Sequence, residues 1–99
     1  MLYALIGLDA PGSLAARLAA RPQHLARLEA LREEGRLLLA GPFPAVDSPD
    51  PGPAGFAGSL IVAEFASLAE AEQWIAADVY AQSGVYASTQ VRPFKKVFP

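Results

Sequence analysis

Hydrophobic residues along the chain fall into short continuous runs, separated by stretches in which they recur every three or four positions. Continuous apolar runs of this length are typical of buried strands. Four such runs predict strands at residues 2–8, 36–40, 59–65 and 85–97. The first run ends at the turn sequence Asp9-Ala10-Pro11-Gly12. Pro93 restricts the last strand to an edge of the sheet or to a bulge, because proline cannot donate a ladder hydrogen bond.

Between the first two predicted strands, apolar residues recur every three or four positions, which is typical of a helix. Leu25, Leu28 and Leu31 form an apolar stripe at this spacing. The charged residues beside the stripe are predicted to face water, namely Arg27, Glu33 and Glu34. Gly35 favours the backbone conformation of a helix C-terminus, so we expect the helix to end there.

Pro22 interrupts this helical stretch. Proline has no N–H to donate and its ring clashes with the preceding turn, while Arg21 before it is pushed away from helical angles. We therefore expect two helices. A short one near residues 13–19 is capped by Ser13, and a longer one begins at Pro22 as its first-turn residue.

Another helix is predicted after the third strand. Ser67-Leu68-Ala69-Glu70 has the capping-box pattern, in which the serine oxygen accepts from a backbone amide and the glutamate reaches back. Trp74 and Ile75 continue this helix to about Ala77, and Asp78-Val79-Tyr80 breaks the pattern.

Residues 42–58 are rich in proline and glycine, and Gly41-Pro42 ends the second strand. We expect a long loop here, which is either a lid over a binding site or a segment of variable length without a function.

The predicted elements follow one another in the order β-α-β-β-α-β. Two right-handed β-α-β crossovers interlock into a four-stranded antiparallel sheet with both helices on one face, a ferredoxin-like α+β plait. We expect one domain over residues 1–99. The other face of the sheet is apolar and uncovered, so we expect a homodimer built sheet to sheet.

Composition narrows the function classes. The formal net charge is −2, which disfavours a nucleic-acid partner. The chain has no cysteine and one histidine, so a disulfide, a thiolate centre and the usual zinc or haem sites are excluded, and we expect neither metal nor cofactor. No apolar run approaches the roughly 20 residues that span a membrane. The N-terminus lacks the basic region of a secretory signal, so we expect a cytoplasmic protein without a membrane partner.

The single histidine, His24, is the third residue of the helix predicted to begin at Pro22. The partial positive charge at a helix start favours the neutral imidazole, which can accept a proton near pH 7. Leu28 and Leu31 lie four and seven positions further on, so the ring borders the apolar stripe. His24 is therefore either a general acid or base, or a partly buried histidine whose ring is satisfied by a backbone carbonyl.

Asp78 lies four residues after Trp74, which places its carboxylate on the apolar side if the helix continues that far. A buried carboxylate needs a hydrogen-bond partner, and a histidine ring is a natural one. The alternative is an aspartate at a helix end that bonds to its own backbone. One obstacle to a pair is distance. We expect the two crossover helices to run roughly parallel, so the start of one lies far from the end of the other, and the break at Pro22 reduces this distance by bringing His24 toward the middle of the sheet.

Four further residues are candidates for contacting a substrate, each with a plainer alternative. Arg17 and Arg21 lie seven and three residues before His24, and two guanidinium groups can hold an anion unless they form a solvated face. Ser59 begins a strand beside the long loop, where it can bond a ligand or only pack. Tyr80 can donate a phenolic proton or fill the core.

The chain resembles the YciI-like (YCII-related) family over nearly its whole length. The residues that carry the resemblance are Asp9-x-Pro11-Gly12-Ser13, Arg17, Arg21-Pro22-x-His24-Leu25, Leu39-Ala40-Gly41-Pro42, Gly58-Ser59-Leu60, Asp78-x-Tyr80 and Val91-Arg92-Pro93. Val79 stands where the family pattern has proline, so we expect a looser turn at Asp78.

The resemblance implies a fold similar to the dimeric α/β-barrel, ferredoxin-like superfamily. It also implies an active site built on a His-Asp pair, which corresponds to His24 and Asp78, and a pocket lined at Gly58 and Ser59. Members of the superfamily include cofactor-free enzymes that act on small cyclic or aromatic acids, lactones and their halogenated forms.

Two hypotheses of different classes follow. The first is a cofactor-independent enzyme in which His24 is the general acid or base, Asp78 orients it, Arg17 or Arg21 holds an acidic group, and residues 43–57 partly close the pocket. The reaction would be proton abstraction next to a carbonyl, leading to elimination or isomerisation. The second is a non-catalytic dimeric module that binds a small ligand or serves as an accessory domain, which predicts His24 and Asp78 apart or buried without a cavity.

Overall fold

The computed structural model describes residues 1–99 and contains four strands and three helices. In chain order they are β1 (Leu2–Asp9), α1 (Leu14–Glu33), β2 (Leu37–Pro44), β3 (Phe56–Glu64), α2 (Leu68–Ala76), α3 (Val79–Gln82) and β4 (Tyr86–Phe94). A single 3₁₀ turn, Gly52–Ala54, lies in the connection between β2 and β3.

The strands form one antiparallel sheet in the order β2-β3-β1-β4. Leu5 of β1 pairs with Ile61 of β3 on one side and with Val91 of β4 on the other. This order, with both long helices on one face, is the predicted ferredoxin-like α+β plait, and the prediction is confirmed.

The core lies between the sheet and the helices. Alternate residues of β1 and β3 point toward the helices, and Leu5 and Ile61 are almost fully enclosed there. The buried apolar cluster consists of Tyr3, Leu5, Ala20, Leu31, Ile61, Ala63, Phe65, Ala71, Ile75, Tyr80, Val85 and Tyr86. None of the helices combines the length with the hydropathy that a membrane-spanning segment requires.

The predicted break at Pro22 is wrong, because α1 runs without interruption from Leu14 to Glu33. Pro22 lies on the side of the helix away from the buried residues, and Leu18, whose carbonyl would have accepted its missing hydrogen bond, is also exposed. Water can therefore satisfy that carbonyl, while packing on the opposite side holds the helix together. His24 lies near the middle of α1, so the predicted effect of a helix start does not apply to it.

The ends of α1 agree only in part with the sequence. Ser13 occupies the N-cap position, but its side chain makes no capping hydrogen bond. Gly35 follows the C-cap with φ +72°, as predicted, and the amides of Gly35 and Arg36 bond back to the carbonyls of Arg32 and Leu31. These two bonds form a Schellman motif, which glycine favours.

Strand β2 continues beyond the predicted end at Gly41-Pro42 and reaches Pro44. Two prolines are tolerated because β2 is an edge strand, where a missing N–H can face solvent. Together with the 3₁₀ turn and the start of β3 at Phe56, this corrects the prediction that residues 42–58 form one continuous loop.

The prediction that the two crossover helices run roughly parallel is wrong: they are antiparallel, which removes the predicted obstacle to a pairing of His24 with Asp78. Each helix returns against the strand before it, and β1 and β3 are antiparallel, so α1 and α2 must run in opposite directions. The middle of α1 therefore lies beside the end of α2. Ser67 caps α2 as predicted, accepting from the Glu70 amide at 3.1 Å, and the Glu70 carboxylate reaches back to the Ala66 amide.

Candidate active site

His24 and Asp78 form a buried pair at the junction of α1 with the segment between α2 and α3. His24 Nδ1 lies 2.8 Å from Asp78 Oδ2, and the two residues are 6% and 1% exposed. Asp78 does not continue α2, since its backbone is extended and its side chain caps α3 by accepting from the Tyr80 amide at 3.0 Å. The same oxygen, Oδ2, therefore accepts from both the Tyr80 amide and His24 Nδ1.

The second oxygen of Asp78 is held by an arginine. Arg27 Nη1 donates to Asp78 Oδ1 at 2.8 Å and also to the Trp74 carbonyl at 3.0 Å. Burial alone would raise the pKa of Asp78, but the hydrogen bond and charge of His24, the Tyr80 amide and Arg27 outweigh it and lower that pKa. Asp78 is therefore an ionised carboxylate with both oxygens occupied.

The ionised carboxylate determines which imidazole nitrogen carries the proton. A carboxylate can only accept, so Nδ1 must be the donor, and in the neutral ring Nε2 keeps its lone pair. Nε2 makes no hydrogen bond within the protein. It is not fully enclosed either, so it retains contact with solvent. His24 is also one of the residues that line the cavity described below.

Arg17 is one of the most buried charged groups of the fold. Its Nε and Nη2 donate to the two carboxylate oxygens of Asp9 at 2.7 and 2.8 Å, and Nη2 also donates to Ser59 Oγ at 2.8 Å. Burial works against the charge on Arg17, but Asp9 compensates it and raises the pKa of the guanidinium. The alternative of a solvated face is therefore wrong for Arg17, which is 5% exposed.

Tyr80 lies between two side chains of α1, those of His24 and Arg17. The His24 ring stacks on it with a centroid distance of 4.1 Å, and the Arg17 guanidinium carbon lies 4.6 Å from the ring centroid. Since the imidazole covers one face, the guanidinium must cover the other. The hydroxyl is not enclosed, and Tyr80 is one of the residues that line the cavity. Burial raises the pKa of Tyr80 although Arg17 and Arg21 oppose the shift, which keeps the phenol protonated.

The cavity beside this stack has a volume of about 400 Å³ and lies between α1 and strands β2 and β3. Its lining residues are Arg17, Leu18, Arg21, His24, Leu25, Leu28, Ala40, Gly41, Pro42, Phe56, Ser59, Leu60, Ile61 and Tyr80. Arg21 is exposed and makes no ion pair, so it is the uncompensated cation of the cavity. Phe56 is the one residue of the 43–57 stretch that contributes to the wall.

Six of the seven predicted site residues therefore meet around one space: His24, Tyr80, Arg17, Arg21 and Ser59 line it, and Asp78 lies directly behind His24. Gly58 does not line the cavity. A Cβ at Gly58 would collide with the Gly7 carbonyl oxygen of the neighbouring strand, so glycine is required there for close strand contact.

Sequence reasoning missed two residues of the site. Arg27 was predicted to face water, but it lies three positions after His24 and four before Leu31, and it donates to the Trp74 carbonyl at the end of α2 and to Asp78. Asp9 was assigned to a turn, but it ends β1 and neutralises Arg17. The unbroken spacing of residues 17, 20, 24, 27 and 31 is the signal that would have indicated the position of Arg27.

The chain is similar in sequence to one described protein family and to several bacterial proteins. A family model described as the YCII-related domain matches residues 1–95. The protein YciI of Escherichia coli O6:H1 is 58% identical over 98 residues, covering 99% of this chain and all of the relative. An uncharacterised protein of Haemophilus influenzae is 52% identical over the same length, with the same coverage of both chains.

Two solved structures are similar in fold. One is 5-chloro-2-hydroxyhydroquinone dehydrochlorinase from Burkholderia phenoliruptrix in complex with 2,5-dihydroxybenzoquinone. It is 28% identical, with a TM-score of 0.83 over 96% of this chain and 94% of that one. The other is an antibiotic biosynthesis monooxygenase, 18% identical, with a TM-score of 0.50 over 98% and 99% of the two chains. The second likeness concerns the fold alone.

Proposed function

The chain belongs to the YCII-related family, and from this premise we propose that it is a small-molecule enzyme in which His24 and Asp78 perform general acid–base chemistry. The observation that carries the proposal is that His24 lines the cavity while its Nδ1 lies 2.8 Å from Asp78, which leaves Nε2 without a hydrogen bond in the protein. The dehydrochlorinase with the same fold supports a small molecule as the substrate.

His24 accepts a proton from the substrate at Nε2, and Asp78 stabilises the imidazolium that forms. Asp78 stays ionised throughout, because its two oxygens remain bonded to His24, Tyr80 and Arg27. A positioned base of this kind contributes about 10²–10⁴-fold to a rate. Proton abstraction next to a carbonyl then leads to elimination or isomerisation, and these steps require no cofactor.

The substrate is a small, acidic or cyclic molecule. A cavity of about 400 Å³ accommodates a single substituted ring, and leucine side chains of α1 with Phe56 supply its apolar wall. Arg21 binds the acidic group, because Arg17 is already neutralised by Asp9. The protonated Tyr80 hydroxyl and the Ser59 hydroxyl are the donors for a substrate oxygen.

A second part of the proposal is a homodimer built through the open face of the sheet. On that face Leu8 and Leu39 are 50% and 48% exposed, and Ile6 and Leu60 lie opposite each other between them. An apolar face of this kind is normally covered by a second sheet.

The test of the catalytic proposal is turnover by His24→Gln and Asp78→Asn. Asparagine preserves the cap of α3 but no longer favours the required tautomer. The assay follows chloride release from 5-chloro-2-hydroxyhydroquinone, together with a panel of hydroxylated cyclic acids, and 2,5-dihydroxybenzoquinone is the binding probe.

We expect either substitution to lower kcat by about 10²-fold or more while the probe still binds. Asp47→Asn, which changes an exposed carboxylate in the long connection, serves as the control and should leave the rate unchanged. Full turnover by correctly folded His24→Gln would contradict the proposed role of the pair.

A further inference from the structure

Arg27 holds the one oxygen of Asp78 that His24 does not contact, and we propose that it is a positioning residue that sets the pH at which His24 exchanges its proton. It acts through Asp78 and does not line the cavity. The inference rests on the proposed function only in treating His24 as the working base. The predicted effect of the Arg27 charge on His24 applies to the protein without a bound substrate.

Three contacts fix the Arg27 guanidinium in place. Its Nη1 donates to Asp78 Oδ1 and to the Trp74 carbonyl, and its central carbon lies 4.0 Å from the centroid of the Trp74 ring. The Trp74 carbonyl belongs to the last turn of α2, where the helix dipole favours a cation. Arg27 is thus anchored independently of Asp78, and its charge has a defined position relative to the carboxylate.

Asp78 is shared by two groups that can carry positive charge. His24 approaches Oδ2, and Arg27 approaches Oδ1. A carboxylate already paired with a permanent cation stabilises a second cation less, so Arg27 limits how strongly Asp78 favours the imidazolium. Without Arg27, His24 would hold its proton to a higher pH and would be a weaker proton donor near neutrality.

The other groups packed around the pair do not replace this effect. Tyr80 contributes a backbone N–H to Asp78 and an uncharged ring against His24. The charge of Arg17, behind Tyr80, is compensated by Asp9. Tyr86 of β4 stays protonated, since burial raises its pKa to about 12, and Arg21 lies at the exposed side of the cavity.

The experiment is an NMR titration of the imidazole in the full chain, where His24 is the sole histidine and gives an unambiguous signal. Arg27→Gln removes the charge and keeps an N–H donor for Asp78, and Arg27→Met is a second neutral variant in case the first does not fold. Arg27→Lys keeps the charge. Arg36→Met is the matched control, because Arg36 also stacks on an aromatic ring, that of Phe65, and donates to a backbone carbonyl, that of Glu64.

We expect the neutral variants to raise the midpoint of the His24 titration by about 1 pH unit. Arg27→Lys should restore most of the original midpoint, and Arg36→Met should leave it unchanged. A folded neutral variant with the midpoint of the unmodified chain, or a lysine variant that shifts it equally, would overturn the inference. Because the titration needs no substrate, its result is independent of whether His24 proves catalytic.

Discussion

At the scale of single residues, the candidate site is built mainly from buried polar side chains. Arg17, His24 and Asp78 lie inside the fold, and each is compensated by a partner of suitable charge or hydrogen-bonding capacity. The Tyr86 hydroxyl is the exception, as it is enclosed and makes no hydrogen bond. Its ring packs against Gly7, where a Cβ would lie 2.5 Å from the ring carbons.

The unpartnered hydroxyl gives a prediction about stability. Tyr86→Phe should raise the free energy of unfolding by about 1 kcal/mol, because an enclosed polar group without a partner is costly. Urea denaturation measures the change. Tyr3→Phe is the control and should have little effect, since the Tyr3 hydroxyl does not share the feature of being both enclosed and unpartnered.

The raised pKa of Tyr86 also determines how the free energy of unfolding changes with pH. Burial raises the pKa of Tyr86 from 10.0 to about 12, so between these values the unfolded chain loses the phenolic proton while the folded chain keeps it. Stability therefore falls as pH rises through this range. Tyr86→Phe should reduce the fall, and a Tyr86→Phe protein that is less stable than the original at pH 7 would contradict this account.

The residues of the pair were predictable, but their surroundings were not. A lone histidine beside an apolar stripe and an aspartate on an apolar face each suggest a function when no other titratable group competes. The roles of Arg27 and Asp9 depend on contacts between distant elements, 51 residues apart for Arg27 and Asp78, which local spacing cannot supply. Val79 stands where the family pattern has proline, and in this chain Asp78 caps α3 by accepting from the Tyr80 amide.

At the scale of elements, local rules fail where tertiary contacts outweigh them. Pro22 is a strong local signal for a helix end, yet α1 continues because its buried face packs on the sheet and on α3. Pro42 and Pro44 likewise remain in a strand because that strand is an edge. Local signals predict an element end correctly where the residue forms its hydrogen bonds within the same segment, as at the Ser67 cap and at the helix end marked by Gly35.

At the scale of the whole molecule, the order of the elements was enough to predict the fold. The β-α-β-β-α-β order has few right-handed solutions, and the observed strand order is the ferredoxin-like one. The same topology makes α1 and α2 antiparallel, which brings the middle of α1 to the end of α2. The contact between His24 and Asp78 therefore follows from topology once α1 is unbroken.

The open face of the sheet gives the prediction at this scale. Leu39→Lys places a charge on that face and should convert a dimer into a monomer, as measured by light scattering on the eluting protein. Leu68→Lys is the matched control, because Leu68 is similarly exposed but begins α2 outside that face. A protein that is monomeric before any substitution would contradict the proposed interface.

The most direct measurement of the central claim is the tautomer of His24, read from the ¹⁵N spectrum of its imidazole at a pH where the ring is neutral. We predict a proton on Nδ1, hydrogen-bonded to Asp78, and an unprotonated Nε2, with a change in this distribution in Asp78→Asn. A ring protonated mainly on Nε2, or a spectrum that Asp78→Asn leaves unaltered, would contradict the account.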